Sequence, residues 1–199
     1  LVVGGSFAAY TNFQSVKRVV STGTQSDTMF GSNYLSLISL TDENPPVKRI
    51  SLAESDNYYT ITVIVCNYVW GDETLYNPKD ITYKVRAVLT ATDGGENLPD
   101  GITEITMSGN NFNKDGICTM EGQKLAAGEA KKNSYSFHIP KALKDKIKIQ
   151  ITAEPDSSSA DAVNSQKLAA VLSFADYKVT KNWTGKFLDS TINKEPLDY

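Results

Sequence analysis

Residues Ile81–Ala91 read ITYKVRAVLTA. Ile81, Tyr83, Val85, Ala87, Leu89 and Ala91 share one face, while Thr82, Lys84, Arg86 and Thr90 lie mostly on the other. Successive side chains of extended backbone point to opposite sides, so this period of two marks a strand with one face on a core and one in water. Ile147, Ile149, Ile151 and Ala153 repeat the pattern against Lys146, Lys148, Gln150 and Thr152. Residues 58–69, YYTITVIVCNYV, are denser in β-branched and aromatic side chains and read as a central strand. Further strands are expected at 34–40, 47–52, 102–107, 134–139, 167–177 and 186–188.

The punctuation between these runs is turn chemistry. Asn44-Pro45-Pro46, Asp93-Gly94-Gly95, Pro99-Asp100-Gly101 and Asp115-Gly116 supply the dihedrals that tight turns need. Helical signal is poor. Residues 142–146 allow one turn after Pro140, and 156–161 read as a flexible loop. The small residues of 160–170 permit a helix, although Leu168 onward looks like strand. With no internal repeat, this defines an all-β chain: an antiparallel, jelly-roll-like β-sandwich with an extended N-terminal strand. Two regions are expected, an apolar segment at 1–13 and a single sandwich domain at 14–199.

Composition narrows the function. A net charge of −3 argues against a nucleic-acid binder, which would show a basic face. No apolar run reaches the length of a membrane span, and residues 194–199 show neither an apolar tail nor a wall-sorting pentapeptide. Cys66 and Cys118 are the two cysteines. They form either one disulfide in an oxidising compartment, worth about 4 kcal/mol in the chain-entropy model, or two unpaired buried thiols.

No catalytic constellation is legible, so a non-enzyme without a cofactor or metal is expected. His138, the single histidine, falls on the polar side of the strand opposite Tyr135, Phe137 and Ile139, where a solvated role outweighs a general base. No nucleophile elbow, phosphate loop or zinc-binding helix motif is present. Residues 111–116 place oxygen donors at alternate positions before Gly116, as a calcium loop does, but lack its closing glutamate and read as a turn. Trp70, Trp183 and ten tyrosines could offer stacking surfaces for sugars, although aromatic residues in a sandwich are more often core.

The N-terminus is the most specific feature. Residues 1–7 are apolar and run into Ser6-Phe7-Ala8, the form of the end of a secretory signal. Gly4-Gly5-Ser6-Phe7-Ala8-Ala9-Tyr10-Thr11-Asn12 resembles the signal-peptide end of the TasA/camelysin family, exported by Gram-positive bacteria through a SipW-type signal peptidase. A weaker echo is Asn182-Trp183-Thr184-Gly185 after an apolar strand. The resemblance covers about a dozen residues firmly. It implies an extracellular or cell-surface jelly-roll subunit of a biofilm-matrix fibre, polymerising head-to-tail by donor-strand complementation. Its partner is then the same chain, with other matrix proteins or glycans as further candidates. By the family's pattern the mature chain begins near Ala9.

The residues suit a donor strand. Leu1, Val3, Gly5, Phe7, Ala9, Thr11 and Phe13 alternate onto one face, and Leu1, Val3, Phe7, Ala9 and Phe13 are its apolar contacts. Such a strip invites association unless covered. The alternatives are a signal remnant at 1–13 and, for the whole chain, a monomeric secreted adhesin or carbohydrate-binding module. A hydrolase using buried carboxylates is the third class.

Overall fold

A computed structural model describes residues 28–54, 57–95, 97–174, 187–188 and 196–197. The strip at 1–13 and the motif at 182–185 lie outside the described residues. In chain order the strands are β1 (Gly31–Ser32), β2 (Ser36–Ser39), β3 (Val47–Arg49), β4 (Ala53–Glu54), β5 (Tyr58–Cys66), β6 (Tyr68–Val69) and β7 (Asp72–Tyr76). There follow β8 (Ile81–Ala91), β9 (Thr106–Met107), β10 (Asn110–Asn111), β11 (Ile117–Leu125), β12 (Lys132–Pro140), β13 (Ile147–Pro155) and β14 (Gln166–Ser173). A separate two-residue ladder pairs Phe187–Leu188 with Pro196–Leu197.

Two large sheets form a sandwich. The first runs β1-β5-β12-β9-β10, with β4 also on β5. The second runs β11-β8-β13-β14-β2, with β3 also on β14. The ladders between these strands are antiparallel except that of β3 with β14. The chain is therefore all-β, as the alternation implies. Inward residues of β8, β13 and β14 meet Ile61, Val63 and Val65 of β5 and Tyr135, Phe137 and Ile139 of β12 in one core. Each large aliphatic side chain buried there contributes about 1.5–3 kcal/mol. Strand β5 pairs on both sides, with β12 along its length and with β1 and β4 on its other edge.

Three segments differ from expectation for local reasons. Ile102 and Ile105 are both buried three residues apart, and the chain takes a 3-10 turn at Ile102–Glu104 before β9. Residues 156–161 are no flexible loop: Ser157–Val163 is a 3-10 helix, and the buried Ser159 hydroxyl accepts a bond from the Thr82 amide at 2.9 Å. Strand β11 is not expected from alternation at all. A bulge between Met120 and Gln123, with Gly122 at φ +62°, breaks its period of two.

A polar chain links the two sheets through the core. Asn133 donates to the Tyr83 hydroxyl at 2.8 Å, and the Tyr135 hydroxyl donates to Gln123 Oε1 at 3.2 Å. The 2.8 Å bond between the phenols is therefore donated by Tyr83 to Tyr135. Burial pushes the Tyr83 phenol well above its ordinary range, helped by repulsion from Tyr135, and burial also pushes Tyr135 up. The neutral phenols are favoured in the folded state, so their contribution is complete below pH 10 and is lost above it. Stability is expected to fall by about 1.4 kcal/mol per pH unit per buried phenol once the unfolded chain ionises. Denaturant melts from pH 9 to 12 check this, and a Tyr83→Phe variant should show a shallower fall.

Candidate functional site

One side of the sandwich has no full-length edge strand in either sheet. On the edge away from β12, the nine residues of β5 pair with β1 at Val65 and Cys66 and with β4 at Tyr59 and Thr60. In the second sheet, β14 meets β2 at one end and β3 at the other. The gap on β5 is closed by a side chain. The Asn33 amide donates to Thr62 O at 2.9 Å and accepts from Ile64 N at 2.8 Å, so it stands in for one rung of a ladder. The chain leaves the first sheet at Asn33 and enters the second as β2 three residues later.

An apolar trough opens on this side. Phe30, Leu35, Leu37 and Leu168 form its floor, Val69 and Trp70 its rim, and its volume is about 270 Å³. Trp70 is 45 % exposed and Val69 39 %, with Leu75 and Tyr76 also exposed nearby in sequence. These belong to the β6–β7 hairpin, whose base is fixed. Asn67, fully buried, donates to Ala126 O and Glu129 O at 3.0 Å each and accepts from Lys131 N at 2.7 Å. Asn77, also buried, donates to Ala162 O at 2.6 Å. The hairpin lies directly on β1: a Cβ at Gly31 would run into the Tyr68 carbonyl oxygen and sit 2.9 Å from the Trp70 amide nitrogen.

The chain enters the sandwich at this trough. Thr28 lines it and is pinned by two bonds, donating to Gln166 Oε1 at 2.7 Å and accepting from Asn164 Nδ2 at 2.9 Å. Residues 1–27 join the described chain at Thr28. The donor residues Leu1, Val3, Phe7, Ala9 and Phe13 fall outside the described residues. The trough itself carries no sequence motif. Its floor comes from two stretches of chain, residues 30–37 and Leu168 of β14, that only the fold brings together.

The other sequence candidates do not converge on it. Cys66 and Cys118 are free, buried thiols, so of the two alternatives for the pair the structure shows the unpaired one. They stand in different sheets, Cys66 across from Gly31 and Lys132, Cys118 across from Ala87. Burial pushes both thiols up, which leaves them protonated at neutral pH. Tyr68, whose hydroxyl donates to Glu73 at 3.1 Å, is pushed up to about 12 by burial and by the neighbouring Cys66. His138 is exposed on β12, with its ring 6.1 Å from that of Tyr58. In the 111–116 loop, Asn113 Oδ1 accepts from the Asp115 and Ile117 amides at 3.0 and 2.8 Å, so that oxygen closes a turn. Among the described residues no group of three or more His, Cys, Asp or Glu is arranged to hold a metal ion, and no helix is long and apolar enough to cross a membrane.

No protein-family model matches the chain, and no curated protein matches it.

Two substitutions test the geometry. Gly31→Ala is expected to cost about 1–3 kcal/mol by lifting the hairpin off β1, read as a lower denaturation midpoint together with changed Trp70 emission. Asn33→Ala should cost about 1–3 kcal/mol and speed hydrogen exchange at the Ile64 amide, because the amide loses its only partner on that edge.

Proposed function

We propose that this chain is the structural, non-catalytic subunit of an extracellular filament, and that residues 1–13 of one copy lodge along the segmented side of the next. The apolar trough beside Trp70 is the observation that carries the proposal. An open apolar cavity with an exposed tryptophan at its rim can receive an apolar segment, and the chain's own leading strip alternates apolar side chains at the spacing of a strand. A segment seated there buries apolar side chains in the trough, although β1–β4 and Asn33 leave few backbone groups of β5 and β14 for it to pair with. The resemblance of residues 4–12 to the TasA/camelysin signal end supports export, and the donor role takes residues 1–8 as retained, a departure from that family's cleavage near Ala9.

Chain length is consistent with exchange between copies. Residues 14–27 span up to about 46–50 Å when extended, more than the length of a nine-residue strand, roughly 30 Å. The arm leaves one copy at Thr28 and enters the trough of another. The contact joins different surfaces head to tail, so it does not close and it propagates.

A second reading is a monomeric secreted adhesin or carbohydrate-binding module. The exposure of Trp70 favours it, since an open indole face stacks on sugar rings.

Size-exclusion chromatography with negative-stain microscopy separates the two. The full chain is expected to form filaments, and the variant lacking residues 1–13 to remain a folded monomer with an unchanged melt. Leu37→Asp in the trough floor should block assembly of the full chain in the same way. Filaments from the truncated variant would reject the donor role. A full-length monomer that binds glycans and loses them on Trp70→Ala would favour the adhesin.

A further inference from the structure

The outward face of the second sheet carries a hollow of about 200 Å³ that the filament reading leaves unused. Its floor follows one row across three strands: Arg86 of β8 stands opposite Thr152 of β13, which stands opposite Ala169 of β14. Ala169 ends at a methyl group and is buried, which makes the depression. Gln150 and Glu154 lie two residues either side of Thr152 and therefore on the same face.

The wall is the segment after β2, and it is braced in advance. Leu40 N donates to Ser165 O at 3.1 Å, Asn44 N to Asp42 Oδ1 at 2.9 Å, and Val171 N to Pro46 O at 2.9 Å. Lys167 Nζ donates to Leu40 O at 2.8 Å. Pro45 and Pro46 stiffen the turn further. Glu154 is held by Lys84 at 3.5 Å. Two groups are uncommitted: among the described residues, neither the Arg86 guanidinium nor the Gln150 amide has a hydrogen bond or ion pair.

We infer that this hollow binds one acidic sugar unit, of hexuronate type, from a polysaccharide. The open guanidinium takes a carboxylate through two parallel N–H bonds. The Gln150 amide offers a donor and an acceptor, and Glu154 offers acceptors, for the ring hydroxyls beside it. The volume is below the roughly 300–1,000 Å³ of sites for drug-sized ligands, so a single ring fits. The lining holds three carboxylates, Asp42, Glu43 and Glu154, and two cations, Arg86 and Lys167, with Glu154 paired to Lys84 beside it. A single carboxylate is accommodated while a polyanion such as nucleic acid is repelled. A lone acidic residue would satisfy Arg86 without the ring hydroxyls that Glu154 and Gln150 can bond.

Saturation-transfer difference NMR on the full chain tests this, because it observes the ligand and works on monomer and filament alike. The probes are galacturonate, neutral galactose and a glutamate residue blocked at both ends. Galacturonate is expected to show saturation transfer, with galactose and blocked glutamate weaker by roughly tenfold or more in affinity. Arg86→Gln should lose galacturonate by a similar factor while its melt is unchanged, since the side chain faces solvent. Gln150→Ala should weaken binding by a smaller factor. No transfer to galacturonate, equal binding by Arg86→Gln, or equal or tighter binding of either control probe would overturn the assignment. Filament assembly by Arg86→Gln should match the unaltered chain, so this result and the donor-strand result are independent.

Discussion

The bond between the Tyr83 and Tyr135 hydroxyls fixes how the two sheets sit on each other. One phenol comes from β8 and the other from β12, both are buried, and each has one further partner, Asn133 for Tyr83 and Gln123 for Tyr135. A one-residue slip of either strand would turn its phenol to solvent and break the bond between the two hydroxyls, at a cost of about 1 kcal/mol on top of the lost core. Hydrophobic burial supplies most of the stability but is tolerant of register. The polar chain from Asn133 to Gln123 is selective, because it is satisfied in only one alignment.

With that alignment set, the two sides of the sandwich differ. On one, β1, β2, β3 and β4 are two to four residues long, with β1 and β4 in the first sheet and β2 and β3 in the second. Short edge strands are a common protection against unwanted pairing, and Asn33 strengthens the protection where β5 would otherwise be bare. The same brevity leaves the space between Phe30, Leu37 and Leu168 uncovered, with the hairpin of Trp70 as an overhang. A side that resists edge-to-edge pairing yet keeps an apolar trough suits a partner with long side chains and a defined length. It does not suit an indiscriminate one. This is the physical basis on which we propose that position for the arm.

Much of the fold was legible because its strands are half-buried. The alternation at Ile81–Ala91 and the run beginning at Ile147 gave β8 and β13 almost residue for residue. Strand β11 was not legible, since Glu121 and Gly122 form a bulge that hides the period. Residues 102–107 misled because two isoleucines three apart resemble a strand only when the intervening turn is ignored. The candidate site was legible on one side alone. The apolar strip at 1–13 is a local pattern, whereas the trough gathers Phe30, Leu37, Trp70 and Leu168 from distant positions, which no spacing rule connects. Asn33 is equally silent in sequence: an asparagine before a strand suggests a turn, and its role as a ladder rung appears only when β5 is beside it.

The central claim is that the trough of one copy receives the leading strip of another. Intermolecular cross-linking tests it most directly: a copy carrying Phe7→Cys is mixed with a differently tagged copy carrying Leu37→Cys, and oxidised. The account predicts a disulfide joining the two tags. A bond that forms only within a single chain carrying both substitutions, or no bond at all in the mixture, would contradict it.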